Sequence, residues 1–202
     1  MRGTFEPGQS PFRIKGLVYR QLFLTIERDV DGGREGLLAA IEDPALRRFA
    51  AQPFLAASWY DNMPIVPLNE LSARLVGQDN TKYLEARAID QAEEDLSGVY
   101  SWLLKLASPR LVAKGLERLT PRYFDWGETR TREISPTHIE ATRTAVPDPL
   151  VAWCDTVNRP FMRYAFQETG AQDVRVELTK TESAGTAHGM PVRDLTYSLR
   201  WR

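Results

Sequence analysis

"DPLVAWCDTVNRPFMRYAFQETG", residues 148–170, decides the fold. Asp148-Pro149 suits a helix start, where the missing proline N–H has no partner in any case. Leu150, Trp153, Val157, Phe161 and Tyr164 then recur at spacings of three and four, an apolar helical stripe with Cys154 beside it. Pro160 predicts a kink and Gly170 a left-handed cap. On both sides the period changes to two. Upstream, "ETRTREI" (128–134) and "HIEATRTAV" (138–146) read as strands around Ser135-Pro136. Downstream, "VRVELTK" (174–180) and "LTYSLRWR" (195–202) alternate as strands with one wet side do. "ESAGTAHGMP" (182–191) is a loop that joins them as a hairpin. The order is β-β-α-β-β, with the helix lying across one face of an antiparallel sheet.

Working outward, residues 12–120 are mainly helical. "RIKGLVYRQLFLTIERDV" places Ile14, Val18, Leu22 and Ile26 four apart, although its β-branched content leaves a strand open. Asp31-Gly32-Gly33 breaks it. "REGLLAAI" and Pro44 to Phe49 are short helices, and Pro53 ends the second. "AASWYDNMPIV" (56–66) connects to a helix starting at Pro67, with Leu68, Leu71 and Leu75 on one face. Trp59 and Tyr60 are expected to tuck inward, while Asp61 and Asn62 satisfy turn backbone. A long helix runs from Thr81 to Ala107, with "DQAEED" (90–95) as its solvated face. Ser108-Pro109 caps the next, with Val112, Leu116 and Leu119 inward, as far as Pro121. The expected fold is α+β, a helical N-terminal half packed with a C-terminal antiparallel sheet. It is one domain over 1–202, with 1–11 a loose lead-in and 121–202 a sheet with one crossing helix.

Composition narrows the classes. Lys and Arg number 26 against 27 Asp and Glu, and apolar residues make 43%. A near-neutral chain lacks the basic excess of a dedicated nucleic-acid binder. One cysteine, Cys154, rules out an internal disulfide and fits a reducing cytoplasm. No apolar run approaches the roughly 18 residues of a membrane span, and "MRGTFEPGQSPF" lacks the apolar core of a signal peptide.

"KGLVYRQLFLTIERDVDGGREGLLAAI" (15–41), in this element order, resembles a superfamily of three groups. They are the haem-dependent nitric-oxide sensors (H-NOX), the 4-vinyl-reductase-type ligand-binding domains and the TRAPP transport subunits. "QPFLAASWYDNMPIVPL", "GVYSWLLKLASPRLV" and "RYFDWGETR" resemble an uncharacterised family of myxobacterial paralogues within it. The resemblance spans roughly 13–202 and implies a cavity between helices and sheet. The chain also departs from the haem sensors. They hang iron on a histidine in the helix before the first strands, and "SPRLVAKGLERLTPRYF" (108–124) has none. Their Tyr-x-Ser-x-Arg propionate pattern is not matched by "YSLR" at 197–200. The metal-binding vinyl-reductase type uses clustered cysteine and histidine, also missing here. The expected cofactor is therefore none, haem included.

Motif by motif, no catalytic residue emerges. His138 and His188 have no partner at ligand spacing. Cys154 reads as a buried small hydrophobe. "DGGREG" (31–36) lacks the lysine of a phosphate loop. Arg130, Arg132, Arg143, Lys180, Arg200 and Arg202 are read as an outer-face set paired with Glu128, Glu140 and Glu177. Two function classes stay open. One is a non-enzymatic, sensory domain for a small apolar ligand, its candidate pocket drawn from Trp59, Tyr60, Trp102, Tyr123, Trp153, Cys154, Val157 and Phe161. The same rings at least as readily fill a solid core. The other class is a self-associating module, a homodimer through the helix at 81–107.

Overall fold

The computed structural model describes residues 5–96 and 108–202. Of these, one compact unit takes the residues up to Leu84 together with Tyr123–Asp125. The second takes Glu85 to Arg122 and Trp126 to Arg202.

The first unit opens on β1 (Arg13–Lys15) and α1 (Gly16–Asp29), followed by α2 (Gly33–Ala40) and α3 (Pro44–Ala51). Then come β2 (Trp59–Asp61), α4 (Ile65–Leu75) and the first residues of α5 (Asn80–Leu96). Asp43 caps α3 by accepting the Ala45 N–H at 2.8 Å, with Pro44 in its first turn. β1 and β2 pair antiparallel, Ile14 opposite Tyr60. Ile14 thus belongs to a strand, not to the helical stripe expected of it. The buried face of α1 is Gly16, Tyr19, Leu22, Phe23 and Ile26. α4 begins two residues before Pro67, whose absent N–H falls among the four donors that a helix start leaves unpaired. Leu68 and Leu71 are buried as expected, whereas Leu75 is exposed. α5 buries Tyr83, Leu84, Ala88 and Ala92. Its expected continuation through 97–107, with Trp102, lies outside the described residues.

The second unit contains α6 (Pro109–Tyr123) up to Arg122. The Ser108 hydroxyl caps it by accepting the Leu111 N–H at 3.3 Å. Strands β3 (Thr129–Ser135) and β4 (His138–Pro147) follow, then a 3-10 turn at Asp148–Leu150 and α7 (Val151–Gln167). β5 (Arg175–Ala187) and β6 (Met190–Arg200) complete an antiparallel sheet in the order β3-β4-β6-β5. The fold is α+β, and β-β-α-β-β holds. α7 packs against β4, β5 and β6.

Two details differ from the sequence reading. The expected loop at 182–191 is mostly strand. His188 and Gly189 alone turn the chain, with φ of 50° and 76°. Two consecutive left-handed residues match the twist of a tight hairpin. The buried face of α7 is also rotated. Trp153, Cys154, Pro160, Met162, Ala165 and Phe166 are buried, whereas Val157, Phe161 and Tyr164 are half-buried. Leu150, Cys154, Met162 and Phe166, on one i, i+4 row with Asn158 between them, are buried.

Candidate functional site

Strand alternation sets what faces α7. Ile139, Ala141 and Arg143 of β4 share one face, with Leu195, Tyr197 and Leu199 opposite them on β6. All six are buried. Arg143 therefore points into the core and not to the outer face expected of it. Its guanidinium lies 4.4 Å from the Trp126 ring centroid and donates to the Trp126 carbonyl at 3.0 Å. Burial lowers its pKa to about 10, against the opposing pull of Cys154 and Tyr197. Burial also pushes the Cys154 thiol up to about 12, although the Arg143 charge pulls the other way. Tyr197 is raised for the same first reason, burial. The cluster is thus a cation, a neutral thiol and a neutral phenol near neutral pH. A protonated, enclosed thiol is not a nucleophile. What the cluster offers is hydrogen-bond donors in apolar surroundings.

The outer face of the sheet is polar. Arg132 pairs across strands with Glu140 at 2.6 Å, as expected, whereas Arg130 meets Glu128 within its own segment at 3.2 Å and Arg202 pairs with Asp173 at 2.5 Å instead of a glutamate of the expected set. The Arg132 hydrogen bond holds the Glu140 carboxyl below the usual range. His138 Nε2 lies 2.9 Å from the Ser198 hydroxyl. Ser198 lies two residues from the end of β6 and is 5% exposed, and the Glu140 carboxylate is held by Arg132, so the contact is a cross-strand tie. His188 is in the hairpin turn. Among the described residues no three His, Cys, Asp or Glu are placed to hold a metal ion, and no helix is long and apolar enough to cross a membrane.

The proposed pocket residues fall on two units. Trp59, Tyr60 and Tyr123 belong to the first; Trp153, Cys154, Val157 and Phe161 line α7 in the second. Trp59 and Tyr60 are neighbours in a strand and so point to opposite sides. Tyr60 joins an aromatic cluster, 4.8 Å from Phe54 and 6.4 Å from Tyr19. Trp59 lies under the Lys15 ammonium at 3.8 Å. Both rings are half-buried, not tucked fully inward. Asp61 meets its expected turn role through the Met63 N–H at 2.8 Å. It also reaches Gly8 at 2.8 Å and Ser10 at 3.1 Å. The Asn62 side chain, fully buried, makes no such bond.

Sequence reasoning missed the Arg143, Cys154 and Tyr197 cluster. The signal was present: with Ile139 and Ala141 inward, the period of two carries Arg143 inward as well.

No protein-family model matches the chain, and no curated protein does. Solved structures match across 93% of it. The Fe(II) unliganded H-NOX protein from K. algicida aligns over 96% of its own chain, with a TM-score of 0.63 and 10% identity. A mutant of the T. tengcongensis H-NOX gives 0.63 and 9% over 97% of its chain. An oxygen-binding H-NOX domain related to soluble guanylate cyclases gives 0.60 and 9% over 95%. The fold is that of the H-NOX domains. At such identity the likeness speaks for the fold alone.

Among the described residues neither histidine is placed on α6 or beside α7 to hold a haem iron. The chain has two histidines, and α6 carries neither. His138 faces away from α7 on the sheet, and His188 occupies a tight turn. The Cys154 thiol, raised to about 12, is a poor source of an axial thiolate.

Proposed function

We propose that this chain is a non-enzymatic sensory domain that binds a small apolar ligand and no haem. The observation that carries the reading is the half-buried apolar row Val157, Phe161 and Tyr164 on α7, in a fold shared with H-NOX domains. On the helix this row adjoins the buried residues, Phe161 lying seven residues on from Cys154 and so on the same side. A half-buried apolar row with hydrogen-bond donors nearby suits a ligand of low polarity, which the donors orient. Trp153 and Cys154 back this wall.

Native mass spectrometry of protein purified from its own host tests this. The expected result is a complex heavier than the chain that loses an organic molecule on denaturation. Val157→Trp should abolish that excess mass with the fold retained. A chain of bare mass, with no tryptophan fluorescence response to a panel of apolar compounds, would overturn the proposal.

A further inference from the structure

Arg20, Phe23, Leu24 and Glu27 lie on one stripe of α1, at the i, i+3, i+4, i+7 spacing. They line an open groove of about 300 Å³, floored by Phe23, Pro53 and Phe54. Phe23 is buried beneath the Arg34 guanidinium, 4.4 Å away. Arg34 is itself committed to the Ala50 and Gln52 carbonyls at 2.6 Å. Leu24 stands out of the stripe at 59% exposure, and Leu55 beside Phe54 at 65%. Arg20 and Glu27 make no ion pair among the described residues, whereas their neighbours Arg28 and Asp29 pair with each other at 2.6 Å.

We infer that this stripe is the contact surface for a second copy of the chain, with the two α1 helices antiparallel. The pattern is self-complementary. A positive charge and a negative charge lie about 10 Å apart along the axis, with an aromatic and a leucine midway. A two-fold axis at that midpoint sets Arg20 against Glu27 of the second copy, and Glu27 against its Arg20. It also seats each exposed Leu24 in the other copy's groove, which Arg34 and Pro53 line as well. The same patch serves both copies, as a two-fold interface requires. A parallel arrangement would oppose like charges, so charge alone selects the antiparallel one. The inference is independent of any ligand at α7.

Sedimentation equilibrium over a concentration series tests it. The unaltered chain should dimerise, and more weakly as salt screens the pairs. Arg20→Glu and Glu27→Arg should each weaken association about tenfold or more, because each opposes like charges twice. Combining both substitutions in one chain should restore the dimer. An equimolar mixture of the two single variants should form a heterodimer. Both positions are exposed, and matching thermal melts will show that the variants fold. A chain that stays monomeric, or a dimer indifferent to the single substitutions, overturns the inference.

Discussion

Gly16 shows how tightly a single residue is held. A Cβ there would sit 2.2 Å from the Leu55 carbonyl oxygen and 2.6 Å from Tyr60 Cε2. Helix propensity favours alanine over glycine, but the backbone contact outweighs it. Gly16→Ala should therefore destabilise by about 1–3 kcal/mol, read as a lower denaturant midpoint at unchanged slope. Trp59 goes the other way. A fully buried ring would cost about 3–5 kcal/mol on truncation. A half-buried one under a lysine should cost only about 1–2 kcal/mol, the smaller area plus the cation–π term.

Asp61 carries a pH dependence. Its carboxyl is raised, first by burial, against the N–H donors of Met63, Ser10 and Gly8. Above its folded pKa, both folded and unfolded states are ionised and its contribution is constant. As pH falls through that pKa, the folded state takes up the proton first, so the fold gains stability until the unfolded value near 3.8 is reached. Asp61→Asn should lose this acid-side gain. It should also cost about 1–3 kcal/mol at neutral pH, since an amide cannot accept from all three donors. Melting temperatures of the two proteins across pH 3–7 (roughly the span of the carboxylate range) check both signs. Only the Met63 part of this role was legible in sequence. Gly8 and Ser10 lie more than fifty residues away, and nothing local announces them.

Among the elements, legibility tracked how locally each is determined. α2 and α3 follow from breakers and caps a few residues apart. The tip of the β5–β6 hairpin does not: the hairpin itself was readable, but Ser, Gly and Thr read as loop, and only pairing to β6 makes them strand. α7 shows a third case. Its existence follows from period, but not that Met162 and Phe166 are buried more deeply than Phe161 and Tyr164. Cys154 reports that face. Its thiol is 2% exposed and titrates near 12, against an ordinary 9.0. At pH 8, labelling by a disulfide reagent should be slow in the native state and fast in denaturant, with native rates limited by opening. Fast native labelling would turn Cys154 away from the sheet and remove the support for the Val157 row.

For the whole molecule, the α+β order was readable because each half keeps one period. The site was less readable, because pocket residues on separate elements meet only in three dimensions. The fold makes haem the direct test of how far the likeness to H-NOX domains extends. Holding haem iron takes a side chain that can reach it. His138 is tied to Ser198 at 2.9 Å on the far side of the sheet from α7, and His188 is fixed in a turn with φ of 50°. Freeing His138 would leave the buried Ser198 hydroxyl without that partner, a cost of about 1–3 kcal/mol before any iron bond forms. The purified chain should therefore show no Soret band. Haemin added in equimolar amount should leave it completely on gel filtration in the presence of serum albumin. A Soret band that survives that competition and is lost in His138→Ala would place a haem on the sheet, and the ligand would then be the iron's and not an apolar molecule on α7.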